Sequence, residues 1–192
     1  MRRGNSGRPT MEQNGYDRAM QMNVAARECM QKGDLQSALA NLVVALQLLP
    51  EDVESKARLH NNKGHIEVRL KAFDDALSSF QKAAQIYDNL GEHILLAEQF
   101  GNIGSVYRDM EQWDAALESY SKSLAIFEQA GHRTGIADQY SNIGYAHFRQ
   151  GRLESALQFL QAAKGLYDGI GEEKKAQLCD QNIEALKSFL EK

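Results

Sequence analysis

The sequence has few of the residues that interrupt helices or cross-link chains. Its 192 residues include only 2 prolines, 2 cysteines and 1 tryptophan. Because proline ends or kinks a helix, so few prolines leave room for long uninterrupted helices. Cys29 and Cys179 stand near opposite ends of the chain, in the first and last predicted helices. We therefore expect no disulfide between them, and the sequence has no paired-cysteine spacing for a metal.

Long apolar runs and an excess of positive charge are also missing. The sequence has no stretch of about 18 consecutive apolar residues, so we expect no membrane-spanning helix. The start, MRRGNSGRPT, is basic but has no apolar core, which is not typical of a secretory signal. We therefore expect a cytoplasmic protein. The net charge of −4 argues against nucleic acid as its main partner.

Motifs for catalysis or cofactor binding are absent as well. The 5 histidines do not fall at metal-ligand spacing, and no His-Glu-x-x-His run occurs. There is no phosphate-binding loop, and no strand-to-helix turn that would expose a nucleophile. We therefore predict that the protein is not an enzyme and that it binds no metal or cofactor.

The most informative feature that is present is a repeat of 40 residues. Residues 97–131 read AEQFGNIGSVYRDMEQWDAALESYSKSLAIFEQAG, and the pattern returns at 137–171 as ADQYSNIGYAHFRQGRLESALQFLQAAKGLYDGIG. It also stands at 57–91, as ARLHNNKGHIEVRLKAFDDALSSFQKAAQIYDNLG. Each copy contains apolar residues at helical spacing. Similarity at a fixed period of this length is typical of a helical-repeat solenoid.

Each copy is predicted to form two helices joined by a tight turn. The turns lie at Lys71–Phe73, Glu111–Trp113 and Gly151–Leu153. A glycine after each copy can take the left-handed conformation that ends a helix. These glycines are Gly91, Gly131 and Gly171.

A further hairpin precedes these copies. Apolar residues recur at helical spacing over residues 17–31, Asp34 can cap the following helix and Pro50 ends it. The segment 172–190 is predicted to be one helix that covers the open apolar end of the array. The predicted organisation is thus a disordered arm over residues 1–15, four hairpins over 16–171 and a capping helix over 172–192.

Small residues recur near the centres of the predicted helices. Gly64, Gly104 and Gly144 stand in the first helices, where glycine costs about 1 kcal/mol relative to alanine. A neighbouring helix that approaches too closely for a side chain would explain this cost. Each second helix has a small residue followed four positions later by a large one. The small residues are Ala76, Ala116 and Ala156, and the large ones are Phe80, Tyr120 and Leu160.

This array of glycine, alanine and aromatic positions resembles the tetratricopeptide repeat (TPR) family over about residues 17–190. The 40-residue period is similar to the longer-helix repeats of kinesin light chains and of the Leu-Gly-Asn spindle adaptors. The resemblance implies an all-α fold, a right-handed superhelical solenoid of antiparallel helix pairs. The sequence departs from the family pattern at Lys63, Glu67 and His147. Because Lys63 and Glu67 are four residues apart, we predict an ion pair between them, with a functional role as the alternative.

The resemblance also implies that the first helices of the pairs line a concave groove. The sequence points to the same helices, because asparagine recurs two residues before each glycine position and again in the last helix. Asparagine is a mediocre helix former, and its amide offers two donors and an acceptor. These amides could bind the backbone of an extended peptide, could connect neighbouring repeats, or could do both. This asparagine ladder consists of Asn62, Asn102, Asn142 and Asn182.

Helical geometry adds further residues to the face that carries the ladder. The face is predicted to be basic over the first two units and acidic in the middle, with a merely solvated charged face as the alternative. An acidic partner segment would bind best near Arg27, Arg58 and Arg69. The other residues predicted for the peptide-binding groove are Asn23, Asn61, His65, Ser105, Asp109, Tyr145 and Arg149.

The sequence therefore predicts a non-catalytic adaptor that binds an extended or helical segment of another protein in the groove. The alternative is a self-assembling scaffold, a homo-oligomer that forms through its terminal helices. Phe189 and Ala185 favour this alternative, because they lie off the main packing face of the last predicted helix.

Overall fold

The computed structural model describes residues 11–50 and 53–190, and within them every regular element is an α-helix. The prediction of an all-α fold built from helix pairs is confirmed. None of the helices in these two ranges is long and apolar enough to cross a membrane. In chain order the helices are α1 (Met11–Gln31), α2 (Leu35–Gln47), α3 (Glu54–Arg69), α4 (Phe73–Leu90), α5 (His93–Asp109), α6 (Trp113–Gln129), α7 (Arg133–Arg149), α8 (Leu153–Ile170) and α9 (Glu173–Leu190).

The hairpin turns lie where the sequence predicted them. α3 ends at Arg69 and α4 begins at Phe73, and the next two pairs are joined in the same way. The centre of each connection is left-handed, with φ of 59° at Lys71, 59° at Glu111 and 74° at Gly151. Glycine takes this conformation freely, whereas a residue with a side chain loses roughly 1–2 kcal/mol there. Two of the three turns therefore hold a non-glycine residue in a strained conformation.

The helix ends between hairpins also follow the prediction. Gly91, Gly131 and Gly171 are left-handed, with φ of 72°, 64° and 79°. At the start of α2, the Asp34 carboxylate accepts a hydrogen bond from the Ser37 backbone N–H at 3.1 Å. Hydrogen bonding to Ser37 lowers the pKa of Asp34. Asp34 is therefore the N-cap that the sequence predicted.

The chain divides between residues 79 and 80 into two compact units, each with its own core. In the N-terminal unit, which ends at residue 79, α1, α2 and α3 pack around side chains such as Leu42 and Ile66. In the C-terminal unit, which begins at residue 80, α7, α8 and α9 pack around side chains such as Leu160 and Ile183. Both cores consist of the apolar stripes that the helical spacing predicted.

Close packing explains Gly104 and Gly144, two of the glycines within the first helices. A Cβ atom at Gly104 would lie 2.6 Å from ring carbons of Tyr120, which α6 supplies. A Cβ atom at Gly144 would lie 2.9 Å from Cγ of Leu160 and 3.3 Å from the backbone oxygen of Ala156, both on α8. In these two pairs a large side chain of the second helix therefore contacts the backbone of the first helix at the glycine, as predicted. The cost of glycine inside a helix is offset by this closer approach.

A buried polar network contains two of the residues that depart from the family pattern. Lys63 forms an ion pair with Glu67 on α3, as predicted. Lys63 Nζ also donates to Ser79 Oγ at 3.0 Å, and Ser79 Oγ donates to the second carboxylate oxygen of Glu67 at 2.6 Å. Only 3% of Glu67 is exposed, so these bonds satisfy a charge that would otherwise be costly to bury.

The start of α1 differs from the predicted boundary of the arm. The sequence assigned residues 1–15 to a disordered arm, but α1 begins at Met11, and residues 1–10 lie outside the described part of the chain. Tertiary contacts favour the longer helix in spite of Gly15. The Tyr16 hydroxyl and Ser55 Oγ are 3.1 Å apart, and a Cβ at Gly15 would be 3.4 Å from the Leu48 backbone oxygen.

Alanine should have opposite effects at Gly104 and Gly165. A Cβ at Gly104 overlaps the Tyr120 ring, so Gly104→Ala should lower the free energy of unfolding by about 1–3 kcal/mol. The Cβ position of Gly165 in α8 has no atom within 4 Å, so Gly165→Ala should raise it by about 0.5–1 kcal/mol. Urea denaturation followed by circular dichroism measures both changes. Equal effects of the two substitutions would contradict the packing role of Gly104.

Glycine should relieve the strain at Lys71. Lys71→Gly removes the strain of the left-handed conformation, but glycine also raises the entropy of the unfolded chain. The net effect should be a stabilisation of up to about 1 kcal/mol. Lys82 is exposed within α4 and serves as the control, because Lys82→Gly should destabilise by about 1 kcal/mol. Thermal unfolding measures both variants. A lower Tm for Lys71→Gly than for the unchanged protein would show that the turn is not strained.

Candidate protein-binding surface

The asparagine ladder lies on the first helix of each pair and on α9. Asn62 is on α3, Asn102 on α5, Asn142 on α7 and Asn182 on α9. The first three are half-buried and Asn182 is exposed. A residue two positions before the packed glycine points about 200° away around the helix. The ladder therefore faces away from the second helix of its own pair. Within each unit, we call this side of the helices that carry the ladder, α3, α5, α7 and α9, the groove face.

In the N-terminal unit the ladder connects neighbouring repeats. Asn62 Nδ2 donates to Asn23 Oδ1 at 3.2 Å, which joins α3 to α1. A bond of this kind contributes roughly 0.5–1.5 kcal/mol to stability. Asn62 therefore has the structural role that the sequence left open as one of two explanations.

The C-terminal unit has a cavity of about 260 Å³ on the groove face, lined mainly by α7 and α9. Asn142 and Asn182 both line it, and neither side chain hydrogen-bonds to another residue within the described ranges. Their donors and acceptors are therefore available at the cavity wall. The other lining residues are mostly apolar and comprise Arg108, Ser141, Tyr145, Phe148, Leu160, Leu178, Ala185 and Leu186.

The charged groups beside this cavity are paired within the chain. Arg108 donates to Asp109 Oδ1 from Nε at 3.0 Å and from Nη2 at 2.9 Å. One turn before Ser141, Asp138 Oδ1 accepts from the Tyr167 hydroxyl and from Lys175 Nζ, each at 2.7 Å. Burial raises the pKa of the Tyr167 hydroxyl, which therefore stays protonated. Among the described residues, no three His, Cys, Asp or Glu side chains are grouped so that they could hold a metal ion.

Tyr145 connects the cavity to an aromatic cluster at the turn between α5 and α6. The guanidinium of Arg149 lies 4.7 Å from the ring centroid of Trp113 and 5.9 Å from that of Tyr145. Arg149 also donates to the Tyr145 hydroxyl at 3.0 Å and to Glu111 at 3.4 Å. The Trp113 and Tyr145 rings meet edge to face at 6.2 Å. Arg149 therefore joins α7 to the preceding turn by cation–π contacts.

The N-terminal unit carries a basic surface. Asn23, Arg27 and Arg58 line one cavity of about 200 Å³. Arg58 is 3.7 Å from the Glu54 carboxylate, and both side chains are largely exposed. The structure thus brings together two of the three arginines predicted to face an acidic segment. The remaining lining residues are Tyr16, Met20, Val24 and Ser55.

The other predicted groove residues are spread along α3 and α5. Asn61, His65 and Arg69 lie on α3, with Arg69 as its last residue. Ser105 lies on α5 and accepts a hydrogen bond from the Tyr120 hydroxyl at 3.3 Å, so it supports the packing of α6. Asp109 is the last residue of α5, and Arg108 neutralises it.

Several cavity residues were not predicted for the groove, and among them are Arg108, Phe148, Leu160 and Leu186. The leucines belong to apolar packing stripes, and their reach to the cavity depends on how α8 and α9 pack. For Phe148 the sequence carried a signal, because Phe148 lies outside every predicted packing stripe. An aromatic residue at such a position is expected to be exposed, as Phe148 is.

The asparagines of the ladder should differ in how much they contribute to the stability of the fold. Asn62→Ala loses the bond to Asn23, whereas Asn182→Ala loses no hydrogen bond to any described residue. Both variants gain the better helix propensity of alanine. We expect the Asn182→Ala protein to be more stable than the Asn62→Ala protein by about 1 kcal/mol. Chemical denaturation measures the difference. Equal stabilities would show that the bond between α1 and α3 does not contribute.

Solved structures that resemble the chain share its fold at low sequence identity. The apo form of RapI is 16% identical with a TM-score of 0.85, over 92% of this chain and 50% of the RapI chain. BtubC (BKLC) from P. vanneervenii is 17% identical with a TM-score of 0.61, over 92% and 82% of the two chains. MamA is 21% identical with a TM-score of 0.64, over 83% and 81%. The chain thus spans half the length of RapI, and these likenesses concern the fold alone.

The sequence itself places the chain in a family. No curated protein matches it significantly. The family model of the tetratricopeptide repeat, however, matches residues 55–129 and 97–169, which together make up more than half of the chain and nearly all of α3 to α8. The helix pairs, the left-handed turns and the glycine–aromatic packing agree with that match. The chain belongs to the tetratricopeptide repeat family.

Proposed function

We propose that this protein is a non-catalytic adaptor that binds a segment of another protein on the groove face. One observation carries the proposal. The side-chain amides of Asn142 and Asn182 line the 260 Å³ cavity of the C-terminal unit without hydrogen-bond partners among the described residues. Membership of a family of protein-interaction repeats supports it.

The amides suit recognition of a peptide backbone. Each offers two N–H donors and one oxygen acceptor, and backbone N–H and C=O groups need such partners when a segment leaves water. Each bond formed contributes roughly 0.5–1.5 kcal/mol. Two asparagines therefore support a modest affinity that depends little on the side chains of the segment.

The basic surface of the N-terminal unit supports a second element of recognition. Arg27 and Arg58 lie beside Asn23 at one cavity, and guanidinium groups bind carboxylates by charge-assisted hydrogen bonds. Acidic residues of a partner are expected to bind there. Exposed charges of this kind mainly orient the partner and raise its association rate.

The asparagines of the C-terminal unit provide the test. Asn142→Ala and Asn182→Ala should each weaken binding of a peptide selected from a random displayed library by about 1 kcal/mol. Trp113 is the only tryptophan and contacts Tyr145 at the cavity, so its fluorescence can follow the titration. Asn89→Ala, at an exposed position of α4 outside the ladder, is the matched control. Unchanged affinity in both ladder variants would refute the proposal.

A self-assembling scaffold is the second candidate. It rests on the exposure of Leu178 and Phe189 on α9, which is 56% and 57%. Two copies could bury these side chains against each other. Light scattering that gives the mass of a monomer at every concentration would rule this candidate out.

A further inference from the structure

The groove face changes its chemistry at α9. Because the repeat has a period of 40 residues, Leu178 stands where α7 has Asp138, and Phe189 stands where α7 has Arg149. Ala185 likewise takes the position of Tyr145. Charged and polar positions of the preceding repeat thus become apolar in α9, within the same register.

Packing in the core does not explain this change. The side of α9 that packs in the core carries Ala176, Cys179 and Ile183, all buried. Leu178 and Phe189 lie on another side of the helix and remain more than half exposed. The exposed Phe148 lies beside Phe189 and lines the same cavity as Leu178, so these apolar side chains are contiguous. Contiguous exposed apolar surface is typical of an interaction site.

The cavity beside Leu178 has the size and polarity of a site for an apolar side chain. A cavity of about 150 Å³ lined by apolar residues binds benzene, and this one measures about 260 Å³. Its apolar lining includes Tyr145, Phe148 and Leu178, and the Phe148 ring lies 6.4 Å from that of Phe189. Arg108, the charged residue that lines it, is paired with Asp109. The site is therefore close to neutral and does not favour a charged group.

We propose that the partner segment anchors one large apolar side chain, aromatic or branched aliphatic, in this cavity, with uncharged residues on both sides of it. The inference rests on the proposed function and names the chemistry of the segment that the C-terminal unit selects. In this arrangement Asn142 and Asn182 bind the backbone on either side of the anchor. The cavity fixes which residue of the segment lies between them, so it determines specificity where the amides do not.

Selection from a random displayed peptide library tests the anchor. The full chain should enrich peptides with one large apolar residue in a neutral context, and replacing that residue by alanine in a synthetic peptide should lower affinity at least about tenfold. Leu178→Glu introduces the charge type found at this register in α7 and should abolish the enrichment. Gln177→Glu adds the same charge at the neighbouring exposed position and should leave it intact. Circular dichroism confirms that both variants keep their helices.

The possible outcomes separate the anchor from the proposed function. Peptides that depend on Asn142 and Asn182 but share no apolar residue would overturn the anchor and leave the adaptor proposal standing. Failure to select any peptide would overturn both. A mass that doubles with concentration in the unchanged protein, but not in Leu178→Glu, would show that a second copy occupies the cavity and would also overturn the anchor. Equal binding by the Leu178→Glu and Gln177→Glu proteins would place the peptide elsewhere.

Discussion

The contact of a large side chain with a bare stretch of helix backbone is the constraint on which the repeat depends. Tyr120 rests on Gly104, and Leu160 rests on Gly144. Dispersion contacts weaken steeply with distance, so this close approach holds the two helices of a pair in one register. The same register turns the residue two positions earlier away from the partner helix. The direction of the asparagine ladder is therefore a consequence of the core packing.

Equivalent positions of the repeat serve different purposes. Asn62 binds Asn23 and holds α3 to α1. Asn142 and Asn182 line a cavity instead, and in the described part of the chain their side chains form no such bond. Hydrogen bonds between repeats stabilise the array, but an amide that is already bonded is less available to a ligand. The ladder thus divides between an amide that joins two repeats and two amides that line a cavity, which a repeated sequence pattern alone does not reveal.

The sequence predicted the features that depend on neighbouring residues. The helices, the turns at Lys71 and Glu111 and the cap at Asp34 follow from periodicity and local hydrogen bonding. The Lys63–Glu67 pair followed from helical spacing as well. The cavity could not be predicted from helical spacing, because its lining includes Leu160 from a core stripe of α8. The pairing of Arg108 with Asp109 was missed because the choice among neighbouring charges depends on side-chain directions that spacing does not fix.

The exposed face of α9 contains residues that the packing of the helix does not require. A helix that only covered an apolar core would need apolar residues on its packed side and polar residues elsewhere. The polar residues Asp180, Glu184 and Lys187 meet that requirement and are exposed. Leu178 and Phe189 do not fit this pattern, because they are apolar and exposed. Exposed apolar side chains lower solubility, and these two add nothing to the packing of the core. These two side chains lie on the groove face, where the preceding repeat is charged or polar. The stability of the fold does not account for them, whereas the anchoring of an apolar side chain that we propose does.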